Sequence, residues 1–442
     1  MTKTGKNCIL YPTVAKTGDE IMNHDILKSV IFDQHEIIKN FIIYPREYSF
    51  EENANYVLTG MRRSGKSTLL YDKVQKLIAA GNDWNHIVYI NFEDERLADF
   101  TINDFNDILG VAYELSDSKS YFFFDEIQNI EGWEKFARRL ADAKERVYIT
   151  GSNAKMLSRD IESTLGARFL SMNISPYNLR EYLTALSVPY DKTELLKTKS
   201  NALVQKNCNE YLTFGGFPES LLYKSKREYV SSVYQKILLG DIIARNNIRN
   251  EYPLRVMMKK IAESVCSELS YTRLHNIVTG TGAKISKETV IDYVQYAIQA
   301  YMIFPVRSYY AKLADKESNP KYYFGDTGLT NLFLVDKDSA LLENAVAVSM
   351  LRKYGEENLY YIKSSETGID VDFWIPETKT AIQVCYSLND SSYDREVKSI
   401  KKLASLGEAK RLVIVTKDES GVLDVNGTEI EIVPVYKFLL GL

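Results

Sequence analysis

The chain has 442 residues, 45% hydrophobic and 26% charged, with a formal net charge of −4. That length is too great for one core and suggests about three domains at about 150 residues each. The charge balance excludes a chain coated in positive charge but not one local basic face, and no run of about 18 apolar residues is present to span a membrane. The start, "MTKTGKNC", lacks an apolar signal core, so the chain is expected in the cytoplasm with no membrane contact. Cys8, Cys208, Cys266 and Cys385 lie far apart with no C-x-x-C pair, which signals neither a disulfide framework nor a zinc site.

The first strong element is "NYVLTGMRRSGKSTLLYDKVQKLIAAG", residues 55–81. "YVLT" reads as a short buried strand, and Leu69, Leu70, Val74, Leu77 and Ile78 recur at helical spacing. Between them stands a phosphate-loop pattern: Gly60, Met61, Arg62, Arg63, Ser64, Gly65, Lys66 and Ser67, followed by Thr68. Glycines there let backbone amides curl around phosphates, and the helix N-terminus adds partial positive charge. Lys66 is expected to reach the β- and γ-phosphates of ATP, and the Ser67 hydroxyl to ligate Mg2+. Arg62 and Arg63 are read either as further phosphate contacts or as solvated loop arginines.

A second strand, "HIVYINFED" (86–94), precedes a third, "SYFFFDEIQ" (120–128), whose apolar run ends in Asp125 and Glu126. A carboxylate beside a core is costly, so an acid pair there needs a reason. Asp125 is assigned to Mg2+ and Glu126 to polarising the attacking water. A fourth strand, "RVYITGSN" (146–153), ends in Ser152 and Asn153. Asn153 either orients the water and senses the γ-phosphate or is a turn residue bonded to its own backbone. This strand order resembles the AAA-type ATPases of the additional-strand class. The resemblance implies an arginine that touches the γ-phosphate, in cis or from a neighbouring subunit. Arg168, just before a fifth strand, is the candidate, with a surface salt bridge as the competing reading.

From about residue 183 the pattern is helical and broken at "TFGGFPES" (213–220), a tight backbone-driven turn. An amphipathic helix, "VYQKILLGDIIARNN" (233–247), leads onward. Residues 253–310 read as a winged helix-turn-helix. Its helices are "LRVMMKKIAESVC", "SYTRLHNIVTG" and "SKETVIDYVQYAIQAYM", the last capped by Ser286, and "IFPVRSYYAKL" is the wing. Between 253 and 312, eight Lys and Arg face four Asp and Glu, which permits contact with double-stranded DNA without requiring it. A packing lid over the nucleotide is the other reading, and the third helix lacks the Arg/Asn/Gln cluster of base readout.

Taken together, "GMRRSGKSTLL", "FFFDEIQNIEGWEKFARRL", "ITGSNAKML", "LGARF", "FGGFPE", "YFGDTGLTN" and "DVDFWI" resemble one group. These are prokaryotic AAA-type ATP-binding proteins with a winged-helix middle and a C-terminal restriction-endonuclease-like domain. The resemblance covers nearly all residues from about 25 onward and implies an α/β chain in three parts. They are a P-loop AAA-type ATPase domain at 25–182, a helical segment and winged helix at 183–320, and the nuclease-like domain at 321–442. Active members of that nuclease fold carry an Asp on one strand and Glu-x-Lys on the next. Alternation puts Asp370 and Asp372 on one face, and Gln383 and Cys385 on one face of the next strand, with Glu343 on a preceding helix. Asp372 matches, whereas Gln383 offers only a neutral carbonyl and Cys385 a thiol that is neutral when buried. The nuclease is therefore expected to be inactive.

The expected function is an ATP-binding, ATP-hydrolysing switch that engages DNA or a protein partner, with assembly into a homo-oligomer left open. Two alternatives stand beside it: an ATP-licensed DNA-processing nuclease, and a signalling ATPase scaffold with no nucleic-acid contact.

Overall fold

The structure is a computed structural model that describes residues 24–442 apart from 158, 335–337, 365, 389, 406, 408, 426 and 427. Cys8 and the expected absence of a signal core therefore lie outside the described residues. Among the described residues Cys208, Cys266 and Cys385 form no disulfide. Among the described residues no helix is long and apolar enough to cross a membrane.

Strands β1 (Asn55–Thr59), β2 (Ile87–Asn91), β3 (Tyr121–Asp125), β4 (Arg146–Gly151) and β5 (Phe169–Asn173) form one parallel sheet in the order β2-β3-β4-β1-β5. Strands β1 to β4 are buried almost throughout, which is why they read as unbroken apolar runs rather than alternating ones. The two-residue period still sorts their side chains. Phe122 and Phe124 join Val88, Trp133 and Phe136 on one face, while Phe123, Tyr89 and Tyr148 join Leu69, Leu70 and Val74 on the other. Because all five strands run the same way, their C-terminal ends share one edge, where open α/β sheets place their ligands. The phosphate loop, Asp125, Glu126, Ser152 and Asn153 all follow strands at that edge.

The three helices expected in the middle form at Tyr252–Glu263, Tyr271–Gly280 and Lys287–Gln299, and Ser286 caps the last by accepting from the Thr289 amide. Upstream, the helix Lys226–Lys236 passes into a π-helical stretch, Ile237–Ala244, where an ordinary amphipathic helix was expected.

The wing expected at 303–313 is only half realised: its first part is a strand, a helix begins at Leu313, and the partner strand starts at Lys321. Strands β6 (Ile303–Ser308) and β7 (Lys321–Phe324) pair antiparallel, and Glu268 bridges Lys321 from the segment between the first two helices. The ribbon does not project as a wing, however. It continues into β8 (Tyr360–Ser364), β9 (Ile369–Ile375), β10 (Thr380–Val384), β11 (Arg411–Thr416), β12 (Gly421–Val425) and β13 (Thr428–Pro434). Together these make an eight-stranded sheet, β12-β13-β11-β10-β9-β8-β6-β7, in which β6 runs parallel to β8. The physical reason lies in the side chains: Ile303, Phe304, Val306, Tyr322, Tyr323 and Phe324 are all buried, and a free wing would expose them. The sheet thus runs through the expected boundary at 320, and one apolar core spans Met61, Tyr182, Met257, Phe324, Phe373 and Leu440.

Candidate active site

The phosphate loop is shaped by what cannot fit beside it. The Ile174 amide donates to Thr59 O at 2.7 Å, and Gly60 follows at φ 142° with Ile174 O only 2.2 Å from where a Cβ would stand. Any side chain at Gly60 would part the loop from β5. Gly65 caps the helix Lys66–Ala79, and Thr68 lies half-buried in its first turn. Met61 is buried in the main core, and Arg62 and Arg63 are held in ion pairs described below.

Lys66 Nζ turns back into the loop and donates to Gly60 O at 3.0 Å and Met61 O at 3.1 Å. Burial lowers its ammonium below the ordinary lysine range, and the more distant Glu126, Asp125 and Asp241 do not restore it. The Ser64 hydroxyl beside it is buried and has no hydrogen-bond partner among the described residues. A buried cation held by neutral carbonyls, with an orphaned donor nearby, suits an anion such as a phosphate.

The two acids are held differently. Asp125 accepts from the Thr150 hydroxyl on one oxygen and from Tyr89 OH at 3.0 Å on the other, and also bonds Ser67. Burial and the neighbouring Glu126 charge raise its carboxyl. Glu126 sits just past β3 in the left-handed region at φ 52°, a strained conformation for a residue with a side chain. Its amide donates to Thr150 Oγ1 at 3.0 Å and its carboxylate accepts from Gln128. Burial alone would raise Glu126, but Lys66, Gln128, Arg62 and Arg245 outweigh it and hold the group below the usual carboxylate range, so it is kept ionised. Asn153 is buried at the tip of β4 on the same edge. The pairing of Ser67 with Asp125 is a donor set that fits Mg2+.

Arg168 stands apart. Its neighbour Phe169 pairs with Asn55 at the far end of β1, about 13 Å from Thr59 at about 3.3 Å per residue. Its guanidinium binds Asp142 and the Gly166 carbonyl. The expectation that it senses phosphate in its own chain is corrected by this register: it lies at the opposite edge of the sheet, in a salt bridge.

Two other arginines, Arg62 of the loop and Arg245 of the π-helical stretch, meet at Asp241. Arg62 donates to Asp241 Oδ2 at 3.1 Å and to Glu93 Oε1 at 3.0 Å. Asp241 belongs to the π-helical stretch, is buried, accepts from Ser152 Oγ at 3.3 Å, and pairs with Arg245 at 3.4 Å. Arg245 Nη1 is buried without a hydrogen-bond partner among the described residues. Sequence reasoning missed this pair. The one available signal was an aspartate inside the apolar run "ILLGDIIA".

The "FGGFPE" turn closes over the loop. Pro218 packs near Gly65, and Glu219 pairs with the exposed Arg63 at 2.9 Å. Tyr177 N donates to Gly216 O at 2.7 Å, and a Cβ on Gly216 would meet Tyr177 O at 2.1 Å, so only glycine allows that approach. The turn is anchored from the far side by Asp326, which accepts from the Gly216 and Gly328 amides at 2.8 Å each. Burial pushes the Asp326 carboxyl up to about 6, against the pull of those amides.

A second polar cavity, of about 560 Å³, opens at the eight-stranded sheet and is lined by Lys321, Glu343, Asp370, Asp372 and Gln383 among others. Cys385 does not line it. That residue falls one past the end of β10, packs in the core with Ile400 and Ile414, and donates to Ser387 O at 2.9 Å. The expectation that Gln383 and Cys385 share one face of their strand is therefore corrected: Gln383 lines the cavity, and Cys385 lies past the strand in the core. Lys321, which sequence reasoning passed over, lies between Asp372 and Glu343.

The fold and the phosphate edge define a P-loop AAA-type ATPase domain, and residues 52–183 match the family described as "AAA domain". Residues 205–341 match a domain of unknown function, DUF8612, a unit that runs through residue 320. The chain is 32% identical to the "Uncharacterized protein MJ1544" of Methanocaldococcus jannaschii over 98% of its own length and 99% of the relative's, and it belongs to that protein's family. It is also 26% identical to an "Uncharacterized protein" of Haemophilus influenzae, over 87% of this chain and 94% of the other. Among solved structures it is similar to the Walker-type ATPase PABY2304 of Pyrococcus abyssi, at 13% identity and a TM-score of 0.37 over 72% of this chain and 97% of that one. The Aeropyrum pernix Orc1 protein in complex with DNA gives 13% identity and a TM-score of 0.28, over 73% and 93%.

Proposed function

We propose that the chain hydrolyses ATP and uses turnover as a switch between its phosphate loop and the helical and eight-stranded parts. The observation that carries this reading is Arg245, whose Nη1 is buried without a hydrogen-bond partner among the described residues while its charge acts on Glu126. In this reading the triphosphate supplies Lys66 with the counter-charge it lacks, and Arg245 donates to the γ-phosphate in cis, a role for which Arg168 was the candidate in cis or from a neighbouring subunit. Ser67 and Asp125 would hold Mg2+, which when bound neutralises charge on the phosphate oxygens. Glu126, positioned by Gln128 and Thr150, takes the proton of the attacking water, and Asn153 orients that water. Loss of the γ-phosphate leaves Arg245 to Asp241 alone. Asp241 also holds Arg62, so the balance of the latch between loop and π-helical stretch changes with each turnover.

The domain division at 25–182, 183–320 and 321–442, the winged-helix reading and the restriction-endonuclease-like reading belong to the same proposal. The order of the three helices supports the winged-helix reading, although the ribbon after them belongs to the eight-stranded sheet. The face it offers argues for a protein partner over DNA: the exposed positions of its third helix are Lys287, Glu288, Asp292 and Gln295, net negative. ATP hydrolysis by the wild-type chain, Glu126→Gln and Arg245→Ala, with and without double-stranded DNA and at several protein concentrations, tests this. Turnover lost in both variants, indifferent to DNA and linear in protein, is the expected result. Full turnover in Arg245→Ala with a steep concentration dependence in the wild type overturns the cis assignment and returns Arg168 as an arginine acting across subunits. Stimulation by DNA overturns the preference for a protein partner.

A further inference from the structure

In an active nuclease of the resembled fold a divalent cation sits among the acids of the cavity at β9 and β10. Here that seat is filled by the chain itself. Lys321 Nζ, delivered by β7, lies 3.1 Å from Asp372 Oδ1 and 3.8 Å from Glu343 Oε1. We propose that Lys321 is the resident cation of this site, its ammonium standing between Asp372 and Glu343 in place of a divalent metal, so that the cavity is a self-neutralised joint closed to Mg2+.

The other hydrogen bonds of the two carboxylates support this. Asp372 Oδ2 accepts from the Val384 amide at 3.0 Å, and Glu343 Oε1 accepts from Tyr323 OH at 2.6 Å. The Gln383 carbonyl accepts from the Asp372 amide at 3.3 Å, so it too is engaged. Lys321 also lies 5.5 Å from the centre of the Tyr361 ring, whose face adds attraction for a cation. A metal would need the same oxygens at about 2.0–2.6 Å, and it would meet a like charge already in contact with them. Burial would lower the Lys321 ammonium, but Asp372 and Glu343 outweigh it and raise the group. Burial and the Asp372 charge in turn push Glu343 up to about 7, so at neutral pH the trio carries little net charge. On the rim Lys363 is tied to Glu268 at 2.9 Å and Asp370 adds a further acid, while Arg273 also lines the cavity. None of this depends on ATP turnover.

The test is Mn2+ binding to the full chain without nucleotide, read by electron paramagnetic resonance, together with thermal melts. The proteins compared are wild type, Asp372→Asn, Lys321→Ala and Lys321→Ala/Asp372→Asn. Wild type and Asp372→Asn should bind Mn2+ alike. Lys321→Ala should gain a site about tenfold or more tighter than anything in the wild type, and the double variant should lose it. Mn2+ should raise the melting temperature of Lys321→Ala only. Mn2+ bound by the wild type and lost in Asp372→Asn overturns the proposal, as does a folded Lys321→Ala that gains nothing. If Lys321→Ala does not fold, the wild-type and Asp372→Asn pair decides alone.

Discussion

Two lysines, Lys66 and Lys321, are each only 4% exposed, yet their surroundings treat them in opposite ways. Lys66 is held by two backbone carbonyls, with its acids at a distance, and burial lowers it. Lys321 touches carboxylates and is raised. A buried cation short of counter-charge is a place for a ligand to arrive. One already supplied with counter-charge is part of the framework, whatever chemistry its neighbourhood resembles.

The contrast can be broken in order of size. Glu126→Gln should cut ATP turnover by about 10²–10⁴-fold while leaving ATP bound, measured by steady-state rates beside equilibrium binding. Lys321→Ala should cost about 3–5 kcal/mol of stability in urea titrations, because it strands two buried acids. Lys66→Met should abolish nucleotide binding yet leave stability in the absence of nucleotide unchanged or higher. Equal destabilisation by the two lysine variants would erase the distinction drawn between them.

Asp326 sharpens it through pH. Its folded value of about 6 lies above the ordinary 3.8, so the native state holds the proton more tightly than the unfolded chain does. Stability contributed by this group is therefore complete below about pH 4 and is lost as pH rises to about 6. The loss is about 2–3 kcal/mol at about 1.4 kcal/mol per unit, and Asp326→Asn should remove that slope. At the small end, Arg63→Ala breaks an exposed pair with Glu219 and should change stability by about 1 kcal/mol or less.

What was legible in the sequence was local. The phosphate loop occupies consecutive positions from Gly60 to Ser67, and Asp125 and Glu126 betray themselves by ending an apolar strand. Arg245 and Asp241 reach the same edge from a distant π-helical stretch, and no short-range pattern announces that contact. Arg168 was misplaced because a family motif fixes a neighbourhood, whereas the β1–β5 register decides which end of the sheet it occupies. Lys321 opens "KYYF" as an ordinary solvent-facing lysine would. It is buried only because the ribbon that carries it joins a sheet instead of standing free.

That junction of β6 with β8 bears on how the chain can be cut. A fragment beginning at 321 would leave β8 as a raw edge, with Tyr361 and Ile362 offered to any passing strand. The complementary fragment would keep β6 and lose β7 and β8 together. Both pieces should aggregate, and a proteolytic nick near the ribbon should be followed by precipitation and not by release of two soluble halves.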